Sequence, residues 1–198
     1  MNATEGIEGQ DPMDVFRAWF GEAVESEPND PNAVALATST LSGESSVRMV
    51  LMKGMDEHGF RFFTNAESEK GEQISENPRA SMCFHWKSLR RQVRLRGPVS
   101  ELPDADADLY FHSRSRRSQL GAAVSAQSRP LASRALLEEM VRALDREFPG
   151  EVPRPAAWKG YCLWPERVEF WADGPDRLHD RFLFERASVG WRVERLFP

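Results

Sequence analysis

The sequence is short of most features that assign a function at a glance. It holds two cysteines and four histidines in 198 residues. Cys83 and Cys162 form no CxxC pair, so neither a disulfide framework nor a zinc site is indicated. Both lie in apolar strand-like runs, where a free buried thiol is the ordinary outcome. His58, His85, His112 and His179 show no metal-ligand spacing, so no metal is expected. There is no GxGxxG after a strand and no GxxxxGKS/T, which removes the usual dinucleotide and nucleotide cradles. There is no GxSxG either, and with it goes the hydrolase elbow. No apolar run approaches the ~20 residues of a membrane span, and the acidic start is unlike a signal peptide. A cytoplasmic protein without a membrane partner is expected. Acidic residues outnumber basic ones, 31 to 26, for a net charge of -5 and a pI near 5.5. That balance argues against a nucleic-acid surface.

What the chain does hold is one domain's worth of alternating strands and amphipathic helices. Residues 1–11 are polar and glycine-containing and read as a disordered tail, leaving 12–198 as a single domain. Asp11-Pro12 is a helix start, and Phe16, Trp19, Phe20 and Ala23 give that helix an apolar face. Residues 33–40 (AVALATST) read as a strand. The stretch around which the chain is organised follows: a strand over 46–53 joined by MDEHG to a strand over 60–65, a hairpin. The first is apolar on both faces, as in a buried strand, yet carries Arg48 and Lys53. Strand parity would point these two cations to opposite faces, toward two anions or across a bulge, unless both reach water at the strand ends.

Beyond it, Ser68 opens a short helix over 69–76 whose N-terminus, with Lys70, suits a phosphate as well as an ordinary surface cap. Strands are predicted over 80–86, 91–99, 158–164, 167–172, 178–185 and 190–196. Helices are predicted after Leu102-Pro103-Asp104 and over 131–148. The longer has a stripe of Leu136, Leu137, Met140, Val141, Leu144 and Phe148 that is expected to be buried. Arg114, Arg116 and Arg117 crowd into SRSRRS, an anion-binding candidate or a solvated patch. Arg177, His179 and Arg181 alternate, which predicts one shared face. Seven to nine strands joined by hairpin-like turns favour an antiparallel sheet closed as a barrel with helices outside. The dispersed donors Arg48, Lys53, Ser68, Lys70, Tyr110, Arg114, Ser118, Arg177 and Arg181 are enough for two phosphates, and Trp171 offers a flat surface. Residue chemistry reaches a binder of phosphorylated, aromatic small molecules and stops short of a reaction.

Six blocks in order resemble the pyridoxine/pyridoxamine 5′-phosphate oxidase family: RMVLMK (48–53), FTN (63–65), YFHSRSRRSQLG (110–121), QS (127–128), VEFW (168–171) and RLHDR (177–181). The resemblance runs from about Pro12 to Pro198. It implies an α+β, mainly β, antiparallel split β-barrel with peripheral helices that binds FMN and forms a homodimer with sites at the interface. It implies oxidation of a phosphorylated B6 vitamer to pyridoxal 5′-phosphate, with O2 reoxidising the flavin and H2O2 released. The alternatives are a related FMN oxidase of another aromatic substrate, of the phenazine type, and a non-catalytic flavin or pyridoxal phosphate carrier. For cofactor binding the resemblance points to Arg48, Met49, Val50, Leu51, Met52, Lys53, Phe63, Thr64, Lys70, Gln92, Gln127, Ser128, Trp171 and Arg181. For substrate binding it points to Lys53, Tyr110, Arg114, Ser118, Arg177, Leu178 and His179, with Arg177 and His179 nearest the chemistry. Three departures stand out. Glu69 stands where the family often has Arg, Phe63 replaces a common Tyr, and the segment before Asp11 lacks the basic lid.

Overall fold

Asp11 caps the first helix, its carboxylate accepting from the Met13 N–H at 2.8 Å, with Pro12 at the first helical position. That helix, α1 (Pro12–Ser26), drives Phe16 and Trp19 into the centre of the molecule. The computed structural model describes residue 4 and residues 6–198. The segment read as a disordered tail therefore lies partly outside the described residues. Within them, Ile7–Gly9 forms a 3-10 turn and Ile7 is buried in the core, so this stretch packs rather than floats.

Among the described residues ten strands build the sheet: β1 (Ala33–Ser39), β2 (Ser45–Leu51), β3 (Gly54–Asp56), β4 (Gly59–Asn65), β5 (Arg79–Trp86), β6 (Arg91–Glu101), β7 (Trp158–Leu163), β8 (Arg167–Ala172), β9 (Asp180–Arg186) and β10 (Trp191–Arg195). All pairings are antiparallel, and the main path runs β10-β9-β8-β6-β5-β1-β2. Strand β6 is the hinge of the barrel. Its first half pairs with β5 and β8, and its end turns to pair with β7, which carries β4 and β3. Gly97 sits at this turn because a Cβ there would lie 1.7 Å from the Trp164 carbonyl oxygen.

The organising hairpin differs from expectation. Strand β2 pairs with β1, not β4, and stops at Leu51. Asn32 ends it: its carbonyl accepts the Met52 N–H at 2.9 Å and its amide donates to the Met52 carbonyl at 2.8 Å. Lys53 then leads into the true hairpin, β3–β4. Inside the barrel Phe16 meets Phe60 and Phe84 edge-on at 4.7 and 5.1 Å, and Trp19 meets Phe170 at 5.2 Å. Each such fully buried ring contributes roughly 1.5–3 kcal/mol by leaving water.

Helix α2 (Glu69–Glu76) follows β4, while α3 (Asp104–Ser113), α4 (Arg116–Val124) and α5 (Arg134–Glu147) form a cap beside it. Ala107, Phe111, Leu120, Val152 and Trp158 make a second, smaller core there. The stripe on α5 is not buried as expected. Val141 and Leu144 are half-buried against this cluster, while Leu136 and Met140 stay exposed. An amphipathic helix on the outside of a small cluster has little apolar surface to bury against. Among the described residues no helix is long and apolar enough to cross a membrane.

Candidate functional site

A groove of about 910 Å³ opens between the edge of the sheet at β2 and the helical cap. Its size suits a cofactor together with a small substrate. Lining it are Arg48, Met49, Val50, Leu51 and Lys53, then Phe63, Thr64 and Lys70, then Tyr110, Arg114, Ser118, Gln127 and Ser128. The structure thus brings together thirteen of the residues singled out by sequence.

Arg48 lies opposite Leu36 on β1 and so on the core side of the sheet. Its guanidinium donates to the Thr38 hydroxyl at 2.6 Å and to the carbonyls of Leu36 and Ser46, both at 3.3 Å. Lys70 is only 7% exposed. Its ammonium donates to Gln127 Oε1 at 2.9 Å, Ser68 Oγ at 3.1 Å and Thr64 Oγ1 at 3.3 Å. All three acceptors are neutral. Burial, and then Arg48 nearby, pulls the Lys70 ammonium below its ordinary value, with Glu69 opposing. Burial lowers Arg48 in the same way, against Glu69. Glu69 does not point away: it hydrogen-bonds the Ser46 hydroxyl and lies 3.9 Å from the Arg48 guanidinium.

Further along the groove, Arg114 rests over the Trp158 ring at 5.1 Å and the Phe111 ring at 5.9 Å. Burial lowers its pKa, with Tyr110 opposing, and its buried Nη1 has no hydrogen-bond partner among the described residues. A desolvated guanidinium N–H without an acceptor is costly and calls for an anion. Lys53 sits 5.9 Å from the Tyr110 ring, and the Ser115 and Ser118 hydroxyls are 2.8 Å apart at the start of α4. Between the two cation groups runs an aromatic wall, Phe63 stacked on Tyr110 at 4.2 Å and on Trp158 at 5.4 Å. Of the SRSRRS arginines, Arg116 is engaged elsewhere, bonded to Asp145 and to the carbonyls of Phe148 and Gly150.

The remaining predicted residues lie outside this groove. Met52 is buried in the core. Trp171, Arg177 and His179 line a separate hollow, and Leu178 is exposed. The shared face expected of Arg177, His179 and Arg181 does not form, because Arg177 ends a 3-10 turn in the left-handed region and β9 starts only at Asp180. Gln92, Trp171 and Arg181 are directly opposite one another on β6, β8 and β9. Two residues along, Met49, Ala35, Cys83, Arg94 and Glu169 form the neighbouring row, so both rows lie on the sheet face away from the core. Val47 and Met49, 69% and 63% exposed, put an apolar patch on that same face. Sequence reading missed Trp158, Glu169 and Asp173. The first opens β7 without any motif, and the other two declare themselves only through long-range pairings.

Comparison with known proteins gives a consistent result. Residues 20–145 match the family described as "Pyridoxamine 5′-phosphate oxidase", and residues 158–198 match the "Pyridoxine 5′-phosphate oxidase C-terminal dimerisation region". The chain is 54% identical over 189 residues to a pyridoxine/pyridoxamine 5′-phosphate oxidase of Gluconobacter oxydans, covering 95% of this chain and 94% of that one. It is 53% identical to the Rhizobium leguminosarum protein of the same name, covering 96% and 94%. Among solved structures, PhzG from Burkholderia lata with tetrahydrophenazine-1-carboxylic acid superposes with a TM-score of 0.91 at 30% identity, covering 99% and 96%.

Proposed function

The chain belongs to the pyridoxamine 5′-phosphate oxidase family, and from that premise we propose that it is an FMN-dependent oxidoreductase. It oxidises pyridoxamine 5′-phosphate and pyridoxine 5′-phosphate to pyridoxal 5′-phosphate, with O2 as acceptor and H2O2 as by-product. The observation that supports this most strongly is one groove holding two groups of cations, each with a desolvated member, Lys70 in one and Arg114 in the other, together with an aromatic wall. Two phosphorylated flat molecules match that layout.

The donor set fits FMN. Arg48 and Lys70 would hold its phosphate, with Thr64, Gln127 and Ser128 beside them, and the backbone of residues 48–53 would line its ring while the Met52 side chain stays in the core. FMN, when bound, supplies the two-electron acceptor. The chain's own work is to bind and orient. Lys53, Tyr110, Arg114 and Ser118 grip the substrate phosphate, where Arg114 gains the acceptor its Nη1 lacks. Arg177, Leu178 and His179 lie over the substrate ring, with Arg177 the residue whose loss most lowers turnover. Because these three sit away from the groove of their own subunit, they reach the groove of a second copy, with Gln92, Trp171 and Arg181. The family's dimerisation region spans 158–198 and so includes five of these six. Face-to-face packing of the sheets through Val47 and Met49 sets the β8–β9 row of one subunit beside the β2 edge of the other. Correct placement of two rings against each other is worth orders of magnitude in rate. Residues 12–198 act as one unit, and we place the reaction in the cytoplasm.

A second reading, oxidation of an unphosphorylated polycyclic substrate, is favoured by the likeness to PhzG. It leaves the Lys53, Tyr110, Arg114 and Ser118 cluster without a purpose. Mixing pyridoxamine phosphate with FMN-loaded protein under anaerobic conditions separates the readings. The flavin absorbance bleaches, and peroxide appears once air is admitted. No bleaching with either B6 phosphate overturns the proposal, and bleaching by an unphosphorylated polycyclic substrate alone installs the second reading.

A further inference from the structure

Asp173 takes no part in the scheme above, yet it is built into the one loop that presents His179. We propose that Asp173, itself clamped by Arg90, is a positioning residue that fixes the His179 ring. The inference rests on the reading of His179 as a residue lying against the substrate.

The Gly174 N–H donates to His179 Nδ1 at 3.2 Å. An N–H can only donate, so Nδ1 offers its lone pair there, and the neutral ring carries its proton on Nε2. Nε2 makes no hydrogen bond among the described residues and remains available. Asp173 Oδ1 lies 3.2 Å from the same Nδ1, on the carboxylate that ion-pairs with Arg90. Asp173 is also tied through its backbone, its N–H donating to the Arg90 carbonyl at 3.1 Å. Trp171 backs the imidazole, with ring centroids 4.7 Å apart.

These two Nδ1 partners divide the work by charge state. The Gly174 N–H serves the neutral ring. The Asp173 carboxylate serves the protonated ring, whose Nδ1 has become a donor. A half-turn of the ring puts carbon against both and loses both, so the orientation holds whichever state the ring adopts. The loop is built to keep this arrangement. Asp176 and Arg177 within it, and Arg90 on the neighbouring turn between β5 and β6, have left-handed backbones, with φ of 53°, 63° and 53°, a strained conformation for a non-glycine residue. Gly174 is required because a Cβ would stand 2.1 Å from the Leu178 carbonyl oxygen, and the Leu178 N–H closes the loop on the Pro175 carbonyl at 2.9 Å. Strain of that kind around one imidazole, with a carboxylate behind it, is an arrangement that serves placement rather than stability.

The test is a double-mutant cycle on the FMN-loaded protein, reading the anaerobic rate of flavin reduction by pyridoxamine phosphate. Asp173→Ala slows reduction about 10-fold or more, while Asp173→Asn, whose amide can donate to Nδ1 of the neutral ring or accept from the protonated one, stays within about 3-fold. FMN content and subunit mass are unchanged in both. The combined Asp173→Ala/His179→Ala protein is no slower than His179→Ala alone, because Asp173 acts through the ring. A merely structural role predicts instead that the two losses multiply and that FMN content drops. Either that result or an Asp173→Ala rate equal to wild type overturns the clamp while leaving the reading of His179 intact. A wild-type rate for His179→Ala sinks that reading, and the clamp with it. Should Asp173→Ala not fold, Arg90→Ala reads the same coupling: slower with His179 present, without effect once His179 is Ala.

Discussion

Two populations of cations share this small protein, and their pKa values move in opposite directions. In the groove, burial lowers Arg48, Lys70 and Arg114. Around the rest of the barrel, hydrogen bonds to carboxylates raise Arg154 beside Asp108, Lys159 beside Asp104, and Arg192 beside Glu185. A cation with its own carboxylate is finished as folded. One held among neutral oxygens or over aromatic rings is folded at a cost, and an outside anion offsets that cost. The difference marks the binding groove without reference to any motif.

If that distinction is sound, the largest effect belongs to Arg114, the groove cation with a buried N–H left without an acceptor. Arg114→Ala raises KM for pyridoxamine phosphate about 100-fold, a loss of roughly 2–3 kcal/mol as expected for a charge-assisted contact, while FMN content stays at wild-type level. Steady-state kinetics with flavin quantitation reads both, and lost flavin would show the two phosphate sites to be one. Next comes Lys70→Met. It weakens FMN binding about 10- to 30-fold by fluorescence titration, yet does not lower the thermal midpoint of the flavin-free protein, since a desolvated charge is replaced by an apolar chain of similar volume. A fall in that midpoint would mean Lys70 is structural. Glu69 should give a smaller change of opposite sign. It competes with phosphate for Arg48, so Glu69→Gln tightens FMN binding about 3-fold. Weaker binding in that variant would place Glu69 among the ligands. The smallest effect is reserved for the paired population: Arg192→Ala moves the thermal midpoint by about 1–3 °C and leaves KM and FMN affinity unchanged.

Much of this architecture was legible from residue order. Asp11-Pro12 as a helix start, β4 through β8 within a residue or two at most ends, and α2 in full follow from period and caps. Residue chemistry picked out the groove's charged and hydroxyl donors, Arg48, Lys53, Lys70, Tyr110, Arg114 and Ser118, as phosphate binders; their apolar and amide neighbours were legible only through resemblance, as blocks scattered from 48 to 128. What stayed hidden was set at long range. Asn32 ends β2 before Lys53, so strand parity between Arg48 and Lys53 says nothing, because no single strand holds both. The alternation of Arg177, His179 and Arg181 looks like a strand until two consecutive left-handed residues break it. The α5 stripe has a strong helical period, but period reports amphipathicity and not whether enough partner surface exists to cover it. Asp173 and Glu169 could not be picked out, since a carboxylate's role depends on which cation the fold brings to it.

The claim that groove cations await an external phosphate has a direct thermodynamic signature. Burial lowers Lys70 in the free protein, and a phosphate dianion beside it restores its proton affinity, so FMN binding must take up protons where Lys70 has begun to lose its own. Calorimetric titration of FMN into flavin-free protein at a series of alkaline pH values, in two buffers of different ionisation enthalpy at each, counts those protons. The account predicts net uptake in the wild type that is larger than in Lys70→Met. Equal counts in the two proteins, or net release, would contradict it.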